Sequence, residues 1–324
     1  MQKVMVAGGA GFIGSHLCRS LLKDGYKVVC VDNLITGDKD NIKELLKNPQ
    51  FKFIEHDITK PVKSSSRLSR DKVQSFDYIF HLASPASPNK KSKRSFINHP
   101  IETLLANSVG TYNLLTLAKK QNAKFLYASS SEIYGDPKIS PQGEEYFGNV
   151  NPNGIRSPYD EGKRFGEALT CAFVRKHKVN ARIVRIFNAY GPNMQADDGR
   201  VVSNFITEAI FNKPITIYGD GQQTRSFCYI DDMVAGLKRA LFLDKTENTV
   251  INLGNPNTLT ILELSSLIKK MTNSSSDITF EDLPEDDPRR RCPDIAKAKR
   301  VLGWEPKVAI EQGLEKTIEY FKNI

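Results

Sequence analysis

The chain has 324 residues, 40% of them hydrophobic, enough to bury a large core in one big domain or two. No run of about 18 apolar residues occurs, which excludes a membrane-spanning helix. Cys18, Cys30, Cys171, Cys228 and Cys292 are scattered without a Cys-x-x-Cys pair, which points to a reducing compartment and away from structural zinc or another metal site.

The net charge of +9 would suit a nucleic-acid partner, but much of the excess lies in two segments of loop composition, "KPVKSSSRLSRDK" (60–72) and "NKKSKRS" (89–95). No nucleic-acid module accompanies them, so a solvated basic loop or an anionic small substrate is expected, with no nucleic acid and no membrane as partner. The chain opens on "MQKVMVAGG", which reads as a buried strand and not a signal peptide. A cytoplasmic location is the expectation, and an anchor outside this segment is compatible with it.

In chain order, "KVMVAG" (3–8), "KVVCVD" (27–32), "FKFIEHD" (51–57), "DYIFHLA" (77–83), "KFLYAS" (124–129) and "ARIVRIF" (181–187) read as strands. Helical stretches at 12–24, 101–120 and 158–177 fall between several of them. Apolar strands separated by helices predict a parallel sheet covered on both faces, the doubly wound (Rossmann) α/β class. The second half has shorter pieces and late helices at 261–272 and 310–322, which suggests a smaller C-terminal α/β domain. "SFCYIDDMVAGLKRAL" (226–241) reads as a strand and helix returning to the first domain. The expected division is therefore a dinucleotide domain at 1–187 with a return segment at 226–252, and a substrate domain at 188–225 and 253–324.

"VAGGAGFIGSHL" (6–17) follows the first strand and opens a helix, with Gly8, Gly11 and Gly14 at three-residue spacing. Such glycines let backbone N–H groups approach a diphosphate, at a helix N-terminus that favours its charge, with Phe12 and Ile13 in the same turn. Asp32 ends the second strand, followed by Asn33, where a carboxylate accepts hydrogen bonds from ribose hydroxyls and repels a 2′-phosphate. NAD is thus expected over NADP. "HDI" (56–58) and "HLAS" (81–84) end the next two strands at the ligand edge of the sheet. Asp57 and Ile58 are placed to flank adenine, and Leu82, Ala83 and Ser84 to line the dinucleotide. His56 and His81 read as packing residues.

"SPYDEGKRFGE" (157–167) supplies a partner for a hydride acceptor. Ser157 suits an N-cap, Pro158 the first helical position, and Asp160 and Glu161 the positive end of the helix. Tyr159 and Lys163, four apart, then share one face. A tyrosine hydroxyl has a pKa of about 10, and a fixed cation lowers it towards a usable base. Tyr159 is expected to remove a hydroxyl proton, while Lys163 lowers its pKa and binds the nicotinamide ribose. Arg200 in "DGRVVS" and Arg225 in "QQTRSF" suit diphosphate recognition through paired hydrogen bonds.

Together the glycine spacing, Asp32, "ASSSEIYG" (128–135) and Tyr159/Lys163 resemble the extended short-chain dehydrogenase/reductase family. "HLASPASP" (81–88), "NPNGIRSPYDEGKR" (151–164), "RIFNAYGPNMQADDGRVVSNF" (185–205), "YGDGQQTRSFCYIDD" (218–232), "NLGNP" (252–256) and "RRRCPDIAKAKRVLGWEP" (289–306) narrow the resemblance to its UDP-glucuronate decarboxylases. It implies conversion of UDP-glucuronate to UDP-xylose: oxidation at C4 by bound NAD, loss of carbon dioxide from the 4-keto sugar, and return of the hydride. It also implies a catalytic Glu132 assisted by Ser130 and Ser131, and contacts to the sugar nucleotide from Asn188, Tyr218, Arg225, Arg200 and Arg291. A homodimer through a bundle of helices 101–120 and 158–177 is implied as well. Related dehydratases carry Asp-Glu where Ser131-Glu132 stands, which favours decarboxylation. Departures from the family pattern are the long segment 89–100, Glu102 and Leu105 in place of lysines, and Cys292. A 4-epimerase or 4,6-dehydratase on the same scaffold is the alternative, and a silent RNA-binding relative a remote one.

Overall fold

The computed structural model describes residues 1–60, 75–283 and 290–324. Beyond Lys60, the basic segment 60–72 lies outside the described residues, as does Arg289.

Seven parallel strands make one sheet: β1 (Lys3–Ala7), β2 (Lys27–Asp32), β3 (Phe51–Glu55), β4 (Tyr78–His81), β5 (Lys124–Ser130), β6 (Ala181–Ile186) and β11 (Val250–Leu253), in spatial order β11-β6-β5-β4-β1-β2-β3. Alternate side chains of each strand leave by opposite faces. Val4 and Val6 enter one core with Leu17, Leu21, Met233 and Leu237, while Met5 and Ala7 enter the other with Leu114, Leu115 and Phe173. Both faces are therefore dry, which is why the strands read as continuous apolar runs. The order reverses between β1 and β4, and such a reversal opens a ligand crevice at the carboxyl ends of the strands.

A helix (Phe12–Lys23) follows β1, and a long one (Ser157–His177) lies against β5 and β6. The stretch 101–120, expected as one helix, is two α-helical segments, Pro100–Leu105 and Thr111–Gln121, joined through a π-helical turn at Ala106–Gly110. That turn accommodates an extra residue and directs Asn107 inward, where Nδ2 donates to Ser84 Oγ at 2.8 Å and Oδ1 accepts from Tyr127 Oη at 2.8 Å.

The second half contributes a parallel pair, β8 (Ile215–Tyr218) with β13 (Ile278–Glu281), and helices Val201–Ile210, Ile261–Thr272 and Ile310–Lys322. Thr260 and Glu263 form a capping box at the start of Ile261–Thr272, satisfying two of the orphan backbone donors there. A short three-stranded sheet sets β9 (Thr224–Ser226) between β12 (Thr258–Thr260) and β14 (Arg290–Arg291). The register of β14 on β9 pairs Arg291 with Arg225. Three side chains tie the loop at 192–195 to the first glycine-rich turn and its surroundings: His16 Nε2 bonds Pro192 O at 2.8 Å, Asn193 Nδ2 donates to Ser15 Oγ at 3.1 Å, and Gln195 Nε2 donates to Thr36 O at 2.9 Å. Among the described residues no helix is long and apolar enough to cross a membrane.

Candidate active site

The glycine turn is built by close contacts that only a missing side chain permits. Gly8 has φ +81°, and a Cβ there would lie 2.6 Å from Ala83 N; a Cβ on Gly14 would lie 2.1 Å from Gly8 O. Asp32 is buried at the end of β2, its Oδ2 accepting from Ala10 N at 3.0 Å and its Oδ1 from Leu34 N at 2.9 Å. The turn, the helix N-terminus and the strand-end carboxylate fit a dinucleotide. A cavity of about 170 Å³ is lined by Asp32, Asn33, Asp57, Ile58, Leu82, Ala83 and Ser84, with Gly8 and Gly11 at its edge; Glu102 and Leu105 line it too.

Gly8 and Gly11 are shared with a larger cavity of about 640 Å³, which also holds Phe12, Ile13 and Gly14. Ser130, Ser131, Glu132, Tyr159, Lys163, Asn188, Arg200, Tyr218, Arg225 and Arg291 all line this larger space. The structure thus brings together every candidate cofactor, catalytic and substrate residue in two connected cavities.

Tyr159 and Lys163 occupy one face of the Ser157–His177 helix, with Lys163 Nζ 5.7 Å from the Tyr159 ring centre and donating to Ala128 O at 2.8 Å. The ammonium also lies 5.2 Å from the Tyr127 ring. Burial lowers the Lys163 pKa to about 7, opposed by the Glu167 charge. For Tyr159 the outcome differs from the expectation: burial pushes the phenol above its ordinary value, while the Ser130 hydroxyl and the Arg200 charge pull it back. Lys163 is fixed against a carbonyl, and the protein's own groups leave the phenol protonated. His81 is a neutral packing ring, held at about 3 by burial and the Lys163 charge, with Nε2 3.0 Å from Thr111 Oγ1.

The helix start also differs. Arg156, not Ser157, occupies the N-cap, and no side chain caps it. Asp160 does not act as a surface charge there: burial first, then the Glu132 charge, raise its pKa to about 8. An acid with a raised folded pKa holds its proton where the unfolded chain has lost it, so its contribution to stability falls as pH rises from about 4 to about 8. Asp160→Asn is therefore expected to raise the melting temperature at pH 9 and leave it nearly unchanged at pH 4, in paired thermal melts. A gain of equal size at both pH values would refute this.

Glu132 lies in a short 3₁₀ turn (Ser131–Tyr134) directly after β5, capped by Ser130 Oγ. Arg156 Nη2 approaches Glu132 Oε2 at 2.6 Å; Arg291 gives Nη1 to Oε1 at 2.7 Å and Nη2 to Oε2 at 2.9 Å. Burial alone would raise this carboxyl, but Arg291 and Arg156 hold it well below the usual carboxylate range. Arg291 Nη1 also donates to Asn188 Oδ1 at 3.3 Å, while Cys292 Sγ turns away to Pro256 O at 3.3 Å.

Several residues that shape this site were absent from the sequence reading. Arg156 grips Glu132. Phe96 stacks on Tyr159 with ring centres 5.1 Å apart and planes at 17°. Glu167, one turn beyond Lys163, pairs with Arg185 Nη2 at 2.9 Å and accepts from Ser129 Oγ at 2.5 Å, which fixes the end of β5. For the charged ones the only sequence signal is polarity on otherwise buried faces, Glu167 and Arg185 within apolar stretches and Arg156 beside the Tyr-x-x-x-Lys pair.

A glycine-cradled crevice beside a serine, a tyrosine and a lysine defines an oxidoreductase-type site, one that moves a hydride between a nicotinamide dinucleotide and an alcohol carbon. Comparison with known proteins places it more closely. The family model described as NAD dependent epimerase/dehydratase family matches residues 4–254, and the chain belongs to this family, with NAD as its cofactor. UDP-glucuronic acid decarboxylase 1 of Xenopus tropicalis is 45% identical over 321 residues, spanning 99% of this chain and 72% of that protein. UDP-glucuronic acid decarboxylase 5 of Arabidopsis thaliana is 47% identical over 322 residues, spanning 99% and 89%. Among solved structures, UDP-glucuronic acid 4-epimerase from Bacillus cereus, in complex with UDP-glucuronic acid and NAD, superposes with a TM-score of 0.86 at 32% identity over 99% of each chain.

Proposed function

We propose that this protein decarboxylates UDP-glucuronate to UDP-xylose. The observation that carries the reading is the convergence of Tyr159, Lys163, Ser130 and the arginine-held Glu132 in a cavity shared with the glycine turn. The greater likeness to decarboxylases than to the epimerase structure supports it.

NAD, held by the glycine turn and Asp32, would supply the hydride acceptor for C4 and give the hydride back after decarboxylation, and would bring positive charge into the cavity. Tyr159 takes the proton of the C4 hydroxyl, with Ser130 hydrogen-bonded to it. The resulting C4 ketone stands β to the C6 carboxylate, whose electrons can flow into an enolate as carbon dioxide leaves. Tyr159, now protonated, donates to the developing enolate oxygen, and so stabilises charge where it appears. A solvent proton at C5, and return of the hydride to C4 as Tyr159 gives its proton back to the C4 oxygen, would then give UDP-xylose. Glu132 is held ionised by Arg156 and Arg291, so it acts as a fixed charge and acceptor rather than as the acid at C5. Because Glu132 already engages both Nη atoms of Arg291 and one of Arg156, the sugar carboxylate would meet positive charge without a tight bidentate grip, its electrons free to move.

The test is direct: incubate the protein with UDP-glucuronate, follow carbon dioxide, and identify the product by NMR. Gas with UDP-xylose supports the reading. Inversion at C4 with the carboxylate retained would make it a 4-epimerase.

A homodimer and a cytoplasmic location belong to the same reading. Ile101, Leu104, Val109, Tyr112 and Phe165 are exposed on the helices that the bundle would pair, an apolar face in want of cover. Sedimentation is expected to give twice the 36.3 kDa chain mass, and Phe165→Glu with Tyr112→Glu to give the monomer. A monomeric wild type at micromolar concentration would reject the dimer.

A further inference from the structure

The larger cavity has a wall that neither the sheet nor the second half supplies. It is the segment 87–98, after β4, and it is fastened on both sides. Ser87 Oγ donates to the Asp198 carbonyl, Asn89 Nδ2 to Asp197 O at 2.9 Å, and Ser92 Oγ to Asp197 Oδ2 at 3.0 Å. In the other direction Arg94 Nη2 reaches Asp38 Oδ2 at 3.2 Å, close to the glycine turn. Asn98 Nδ2 closes the segment on itself by donating to Lys90 O at 2.9 Å and Ser92 O at 2.7 Å, while buried Phe96 covers Tyr159. This is a built wall, not a loose basic loop.

Its cations differ in their surroundings. Arg94 is neutralised by Asp38. Lys90, Lys91 and Lys93 are all exposed, but Lys93 lines neither cavity. Lys90 and Lys91 line the larger cavity together with Gly11, Phe12, Ile13 and Arg200, and among the described residues no carboxylate pairs with either ammonium. Consecutive lysines on a fixed wall carry like charges that repel each other, and the field of like charges at the rim of a cleft attracts an anion. A multiply charged anion between wall and glycine turn relieves that repulsion.

We infer that Lys90 and Lys91 form a diphosphate-binding wall, gripping from above a ligand whose diphosphate is approached from below by the glycine turn or by Arg200. The inference rests on the reading that this cavity takes a dinucleotide and a nucleotide sugar. Either molecule carries the required diphosphate, and the two are separable by experiment.

The test compares the wild-type holoenzyme with the double variant Lys90→Ala/Lys91→Ala, with Lys93→Ala as the surface control. UDP and UMP are titrated calorimetrically, and bound NAD is measured after gel filtration. Loss of the two charge-assisted contacts is expected to weaken UDP about 10- to 100-fold while UMP changes little. Lys90→Arg/Lys91→Arg should retain most of the affinity, and melting curves show whether each variant is folded. Unchanged UDP binding with loss of bound NAD would assign the wall to the dinucleotide diphosphate. The inference is overturned if UDP and NAD are both unchanged, if UMP weakens as much as UDP, or if Lys93→Ala reproduces the loss. These are binding readouts, so they stand whether or not the wild type releases carbon dioxide from UDP-glucuronate.

Discussion

Tyr159→Phe is expected to lower turnover of UDP-glucuronate by about 100- to 10,000-fold, the range spanned by a lost general base. The ring remains, so its stack on Phe96 and its place beside Lys163 survive, and only the oxygen proposed to exchange a proton with the C4 hydroxyl is removed. Bound NAD and affinity for UDP should therefore be nearly unchanged. Single-turnover kinetics with UDP-glucuronate, together with the cofactor's absorbance, separate these cases. A variant that turns over at a near-normal rate removes Tyr159 from the chemistry. A variant that loses NAD as well shows a damaged site and not a missing base.

Glu132→Gln is expected to have a second large effect, on stability as well as on rate. The carboxylate offsets two buried guanidinium groups, and its amide replacement keeps the shape while leaving that positive charge uncompensated. Breaking a buried pair in this way costs about 3–5 kcal/mol. Because the folded carboxyl sits below its ordinary value, its contribution is fully present above about pH 4.5 and fades as pH falls towards about 2. Denaturant titrations of wild type and variant should therefore differ most near neutrality and converge in acid. A gap in stability that does not shrink between pH 7 and pH 3 would show that packing, and not charge, separates the two proteins.

Sequence patterns reach as far as interactions between near neighbours or repeated spacings. Six of the seven strands were legible as apolar runs, β11 (Val250–Leu253) being too short to stand out, and the glycine turn was legible because Gly8 and Gly14 cannot carry a Cβ. Tyr159 and Lys163 were legible because one helical turn joins them. Arg156 was not: its partner Glu132 lies 24 positions earlier, and only the meeting of the β5 end with the helix start brings them together. Arg225 was found from its chemistry and Arg291 through resemblance, yet their adjacency depends on a strand register between distant segments. The π-helical turn was hidden because Asn107 looks like any polar residue in a helical pattern until Tyr127 and Ser84 are folded against it. Phe96 was masked by its lysine-rich surroundings, which read as solvent-facing charge.

The 192–195 loop has a consequence for how the enzyme is handled. Its three bonds to Ser15, His16 and Thr36 fix one wall of the larger cavity beside the glycine turn, so a dinucleotide lodged there is expected to leave slowly. The coenzyme is then expected to behave as a resident part that is reset each cycle instead of a consumable drawn from solution. Preparations of the protein should emerge from chromatography already charged with it, and should need none added to run.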